Sequence, residues 1–171
     1  MGSFSTGILL MGITLIYGAA GTFDIAALGL GAGSVHPLAL CGVILMVFAL
    51  SFKVSAAPFH FWTPDVYDGS PTVFTSFIST VVKAAGFVAF LRMFHTSFAG
   101  GTISSHWTLI LSLITAATLV VVNFSAVFQQ SVKRMLAYSS IAQAGFMLFA
   151  VVAMKNMGSQ GIILYAAAYT L

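Results

Sequence analysis

Polar positions along this chain are rare and clustered, and the apolar runs between them are long. The first run, Phe4–Ala20, falls within the ~17–25 residues that a membrane-spanning helix needs. A glycine-rich stretch, Gly21–His36, follows, with Asp24 as its one charge. Pro37 suits the first position of a helix, which the apolar run carries to about Ser55. There the regularity fails. The segment Ser55–Pro71 reads SAAPFHFWTPDVYDGSP and holds three of the four prolines. Each proline removes a backbone donor and disfavours helix in the residue before it. Helical runs resume at Ser70–Phe94, His106–Gln129 and Met135–Met154. They are separated by the polar connection His95–Ser105 and the basic turn QQSVKR, and Lys155–Gln160 follows the last of them. The final stretch, Gly161–Leu171, is apolar but too short to cross.

The pattern predicts an all-α polytopic membrane protein with about six transmembrane helices, one broken and the last incomplete. Residues 1–171 then form a single transmembrane domain. The chain opens almost directly on a span and stops inside another, so the expectation is an internal piece of a longer protein. No cleavable signal peptide is evident at Met1–Thr6, which lacks a basic region and a small-residue cleavage site.

Composition sharpens this picture. Hydrophobic residues make up 60% and charged residues 5%, and the mean hydropathy is +1.07. A soluble domain carries about 25% charged residues. Six basic and three acidic side chains cannot coat a water-exposed surface, so a lipid bilayer is the expected surrounding. A net charge of +3 with no basic run points away from nucleic acid. The single cysteine, Cys41, excludes an internal disulfide and a cysteine-rich metal site, and its apolar context predicts a packed thiol. No nucleotide-binding loop or haem motif is present, so no cofactor is expected in this chain. The connections place Arg92 and Lys155 on one side and Lys133 and Arg134 on the other, which leaves orientation undecided by positive charge.

Against this apolar background two lysines stand out. Lys53 lies 16 residues after Pro37, about 24 Å along a helix and directly before the proline-rich break. Lys83 lies 13 residues after Ser70, about 20 Å into its own helix. A lysine at the bilayer centre costs at least ~2.5 kcal/mol, and it persists where it faces a partner, a cavity or water. Apolar surroundings disfavour the charged amine, so a lysine held there can take up and release a proton. Both side chains are therefore expected to turn toward the bundle interior; snorkelling to an interface is the alternative. Irregular backbone at membrane depth is tolerated only against protein or a water-filled cavity, and transporters use such breaks to present helix ends to ions. A plain interfacial loop anchored by Trp62 and Tyr67 is the competing reading of the same segment.

The remaining polar residues carry less. His60 could titrate near neutrality or serve as a structural hydrogen-bonder. Asp65 and Asp68 read as turn or capping residues before Gly69, and no histidine or cysteine completes a metal site with them. His36, His95 and His106 fall in connections, at the interface. Ser139, Ser140 and Gln143 on one span could bond between helices or hold water. Lys133 and Arg134 read as a solvated basic turn.

The stretch FKVSAAPFHFWTPDVYDGSPTVFTSFISTVVKAAGF, Phe52–Phe87, resembles the antiporter-like membrane subunits of respiratory complex I and their relatives in multisubunit cation/proton antiporters. The form FWTPDVYDGSP, with SVKRMLAYSSIAQAGF at Ser131–Phe146, is similar to the N-type subunit of NADH:quinone oxidoreductase. The likeness extends over essentially the whole chain. It implies part of an antiporter-like fold of about fourteen helices with two inverted five-helix repeats. This chain would run from the sixth helix into the eleventh, with the broken seventh carrying Lys53 and the eighth carrying Lys83. It further implies proton translocation through these lysines, coupled to electron transfer from NADH to quinone in other subunits. His60, Ser140 and Gln143 are accessory candidates; many relatives place histidine where Gln143 stands, and glutamine cannot titrate. The implied acidic partner of Lys53 lies on the fifth helix and a further lysine on the twelfth, both outside this sequence. FMN, iron–sulfur clusters and quinone would belong to other subunits. The implied partners are neighbouring antiporter-like and small membrane subunits, in a bacterial inner membrane with Lys133 and Arg134 on the cytoplasmic side. A cation/proton antiporter subunit without redox coupling is the alternative within the same resemblance.

Overall fold

The computed structural model describes residues 2–24, 36–96, 98, 101–153 and 158–170. Most of the glycine-rich stretch before Pro37, and Lys155 with its neighbours, lie outside the described residues. The described chain is helical throughout its apolar runs: α1 (Gly2–Ala20), α2 (Pro37–Lys53), α3 (Trp62–Gly69), α4 (Thr72–Phe77), α5 (Lys83–Thr96), α6 (Gly101–Val127), α7 (Val132–Ala153) and α8 (Gly158–Thr170). A π-helical segment, Ile78–Val82, joins α4 to α5, so the three make one continuous rod. Among the described residues four helices are long and apolar enough to cross a membrane: Gly2–Ala20, Thr72–Phe94, Ile103–Val127 and Val132–Ala153. Pro37–Lys53 is a shorter apolar helix. Exposed Phe4, Phe74, Phe124, Phe128 and Phe149 stud the outer faces, as expected of a protein solvated by lipid rather than water.

The core sits where α1 packs along α2 and α6 packs along α7, the two most extensive helix pairs, with α2 also touching α5 and α6. Met46, Val47, Leu50, Phe87, Phe90, Phe94, Trp107, Leu111 and Leu148 are buried in one cluster. The α1–α2 crossing requires glycine on both sides. A Cβ on Gly12 would stand 2.9 Å from the Gly42 carbonyl oxygen, and a Cβ on Gly42 would stand 2.8 Å from that of Gly12. Small residues that let backbones meet are the usual adhesive between helices in lipid, where no hydrophobic force draws them together. Trp107 Nε1 donates to the Phe98 carbonyl at 2.8 Å, which satisfies the indole inside the core.

Three details depart from the sequence expectation. The helix predicted from His106 begins at Gly101, so His106 is an exposed helical residue rather than part of a connection. Cys41, expected to be packed, is exposed on α2. The proline-rich segment is not all loop: its second half folds into the two turns of α3, with Pro64 near the helix start where a missing N–H costs nothing.

Candidate functional site

The break after α2 is closed by hydrogen bonds to protein. Ser55 takes the left-handed conformation, φ 65°, and its N–H donates to the Phe52 carbonyl at 3.1 Å. The Ala56 N–H donates to the Ser51 carbonyl at 2.8 Å. This pair of bonds is the Schellman ending, in which the last carbonyls of a helix are capped by the next two amides. Serine replaces the usual glycine, and its Oγ accepts a 2.7 Å bond from the Thr63 hydroxyl of α3. The next amide, Ala57 N–H, donates to Thr118 Oγ1 on α6 at 2.9 Å. Trp62 Nε1 folds back onto the Phe52 carbonyl at 3.1 Å. Trp62 is thereby a lock on the helix end.

Lys53 occupies the last position of α2, where the carbonyl end of the helix favours a cation. Its side chain is exposed and lines a cleft of about 750 Å³ between α1, α2, α3 and the α4–α5 rod, together with Ser5, Thr6 and Trp62. Lys83 is placed differently. It is 2% exposed and is among the largest fully buried side chains of the described residues. Its Nζ donates to Ser140 Oγ at 2.6 Å and to the Ser140 carbonyl oxygen at 2.8 Å. Both acceptors belong to one residue of α7, since a helical carbonyl keeps a lone pair free beyond its backbone bond. The third side of the ammonium faces the Tyr67 ring of α3, whose centroid lies 5.8 Å away. A cation over an aromatic face gains up to about 2 kcal/mol when desolvated. Tyr67 is 3% exposed, so it is a buried cover for Lys83 rather than an anchor at the headgroups.

The π-helical segment ends immediately before Lys83. One such turn rotates everything beyond it relative to a regular helix, and π turns concentrate at functional sites. Its local chemistry is visible: the Ser79 and Thr80 hydroxyls both donate to the Ser76 carbonyl, at 2.9 and 2.8 Å. A second cleft, about 330 Å³, runs beside this segment and reaches Tyr67 and Ser140; Thr72, Thr75, Ser79 and Lys133 also line it.

The other candidates stand apart from this centre. His60 is half-buried in the break, edge-on to the Tyr138 ring at 6.2 Å between centroids. Gln143 accepts a hydrogen bond from the Tyr165 hydroxyl, so its side chain ties α7 to α8. Asp65 and Asp68, expected only to turn the chain, lie on α3 and pair with Arg134: its Nη2 with Asp65 Oδ1, and its Nε 3.5 Å from Asp68 Oδ2. Arg134 is thus a partner of α3 and not simply part of a solvated turn. A signal was present in the sequence. Two of the three acidic residues stand three apart, a spacing that puts both on one helix face and calls for a basic partner. No group of three or more potential metal ligands occurs among the described residues.

Four apolar helices long enough to span a bilayer, a broken helix capped by protein and a buried lysine held across helices mark a multi-pass membrane protein. The whole chain, residues 1–171, matches the family model described as NADH:quinone oxidoreductase/Mrp antiporter, transmembrane, and the chain belongs to that family. It is 47% identical to NADH-quinone oxidoreductase subunit N of Cytophaga hutchinsonii, over 100% of this chain and 37% of that protein. It is 42% identical to the corresponding subunit of Desulforamulus reducens, over 99% of this chain and 36% of that protein. The chain therefore spans little more than a third of the length of these relatives. Among solved structures, it superposes on respiratory complex I from Thermus thermophilus with a TM-score of 0.77 at 39% identity, covering 99% of this chain and 36% of the matched one. The Mrp complex from Dietzia sp. DQ12-45-1b gives 0.87 at 27% identity, with 99% and 31% covered. An archaeal membrane-bound sulfane sulfur reductase gives 0.89 at 31% identity, with 99% and 35% covered.

Proposed function

We propose that this chain is part of an N-type subunit of a bacterial NADH:quinone oxidoreductase, and that Lys83 and Lys53 are stations on its proton path. The observation that carries the reading is the Lys83 ammonium, fully buried and held by Ser140 and Tyr67 beside a π turn. An amine enclosed in an apolar interior, with only neutral groups bonded to it among the described residues, is suited to gaining and losing a proton as its surroundings change. Ser140 offers a hydroxyl that can both accept from the ammonium and donate to a neutral amine, so the residue can stay bonded through either state. Lys53, at a capped helix end, opens onto the larger cleft, where an acidic group from another helix could approach it. Electron transfer from NADH to quinone takes place in other subunits, with their FMN and iron–sulfur clusters, and reaches this domain as a shift in charge or conformation. The neighbours are other membrane subunits of the same complex, in the cell's inner membrane.

A second reading, a cation/proton antiporter subunit without redox coupling, is supported by the close superposition on the Mrp complex. The subunit N relatives at 47% and 42% identity favour the first. Deleting the gene that contains this segment discriminates between them. The redox reading predicts loss of NADH-driven proton uptake in inverted membrane vesicles, with NADH-independent cation/proton exchange unchanged. Loss of that exchange with NADH-driven uptake intact would contradict it.

A further inference from the structure

We propose that Arg134 is a positioning residue for Lys83: paired with Asp65 and Asp68, it latches α3 to the start of α7 and so holds Tyr67 over the lysine. The inference rests on the reading above only for what the covered amine does; the latch itself stands on geometry.

The half-helix α3 has eight residues, with the break on one side and the Ser70–Pro71 corner on the other. A helix this short has little stability of its own, so its position depends on what it is attached to. Its main packing partner is α7. The attachment has two parts. At the polar edge Arg134 meets both Asp65 and Asp68, and Ser131 Oγ donates to Asp68 Oδ1 at 3.3 Å. On the inner side Tyr67 covers Lys83, whose ammonium is bonded to Ser140, six residues along α7 from Arg134. The acidic pair and Tyr67 therefore tie the same two helices at two levels. Ala137, 1% exposed, lies between these levels and lines the cleft that reaches Ser140.

Arg134 itself is not buried; its side chain is 40% exposed and that of Asp65 70%. The latch is therefore of the kind that can be released at modest cost, unlike a buried ion pair. Release frees α3 to move with the break, lifts Tyr67 from the amine, and opens the inner end of the cleft. Arginine suits the position because its always-charged guanidinium hydrogen-bonds Asp65 through Nη2 while its Nε stays at ion-pair distance, 3.5 Å, from Asp68.

The test uses the full-length subunit in its native membrane complex, with Cys41 replaced by serine and Ala137→Cys as a probe. Reaction of position 137 with a membrane-impermeant maleimide, applied to inverted vesicles, is followed by peptide mass spectrometry. Arg134→Gln is expected to raise the labelling rate about fivefold, the shift that loss of a partly exposed ion-pair network produces. Arg134→Lys should leave the rate near that of the parent, because one carboxylate remains paired. Asp65→Asn combined with Asp68→Asn should raise it as Arg134→Gln does, and adding Arg134→Gln to that pair should raise it no further. The asparagine pair also reads the latch if Arg134→Gln fails to assemble. A labelling rate unchanged by either set, or effects that simply multiply, would overturn the latch. Raised labelling with fully normal proton transport would overturn the positioning role of Arg134 while leaving the transport role of Lys83 standing, so the two ideas fail separately.

Discussion

Ser140 is the residue on which the buried lysine depends most directly. Its carbonyl is backbone and survives any substitution, while its hydroxyl does not. Ser140→Ala should remove one charge-assisted hydrogen bond, worth about 1.5–3 kcal/mol, and leave the other. The expected outcome is an assembled complex whose NADH-driven proton uptake falls roughly tenfold or more, with Ser140→Thr closer to the parent. Uptake in Ser140→Ala equal to the parent would show that the hydroxyl has no part in the path. At this scale the sequence was informative wherever cost alone marks a residue. A lysine mid-way along an apolar run is legible as Lys83, because nothing structural excuses its desolvation. Tyr67 was not legible, since a tyrosine beside prolines and aspartates has the composition of an interfacial loop. Only the fold of α3 onto α7 turns its ring inward.

At the scale of elements, the break is a structure in its own right. Four backbone or side-chain donors close the end of α2 and the residues after it: the amides of Ser55, Ala56 and Ala57, and the Trp62 indole. Thr118 is the one partner supplied from outside the segment, and its own hydroxyl hydrogen goes to the Ile114 carbonyl at 2.7 Å. Thr118→Val preserves shape but strands the Ala57 amide in a dry interior, at a cost of about 1–3 kcal/mol. We expect a lower thermal midpoint for the purified complex's membrane domain in Thr118→Val and little change in Thr118→Ser. Equal midpoints would mean that water or another group serves the amide. The existence and position of the break were legible from three clustered prolines. Its closure was not, because Thr118 lies 61 residues away and carries no local sign of the bond. The π turn was equally hidden: ISTVV has no sequence signature that separates five residues of π helix from α helix.

At the scale of the molecule, hydrophobic run lengths predicted the order of helices to within a few residues. Lipid imposes that order, because every spanning backbone must satisfy itself internally. Which helices touch was not predictable from run lengths. The α1–α2 crossing depends on two glycines facing each other, and α3 meets α7 at an arginine and two aspartates far apart in sequence. The resulting arrangement sets one lysine at a capped helix end on the larger cleft and the other inside the packing. The two thus differ in surroundings: the sequence led to the expectation that both side chains turn into the bundle, and among the described residues Lys83 is enclosed while Lys53 is exposed on the cleft. An exposed Lys53 and an enclosed Lys83 fit a path in which one amine exchanges protons with an approaching group and the other holds its proton away from lipid.

The central claim is that the buried amine of Lys83 carries protons. It is tested most directly by the proton-to-electron stoichiometry of the assembled complex bearing Lys83→Ala in the full-length subunit. Inverted vesicles are given NADH, and proton uptake and quinone reduction are followed together. The account predicts fewer protons moved per electron pair, with complex assembly largely retained. A normal stoichiometry in a fully assembled mutant would contradict it.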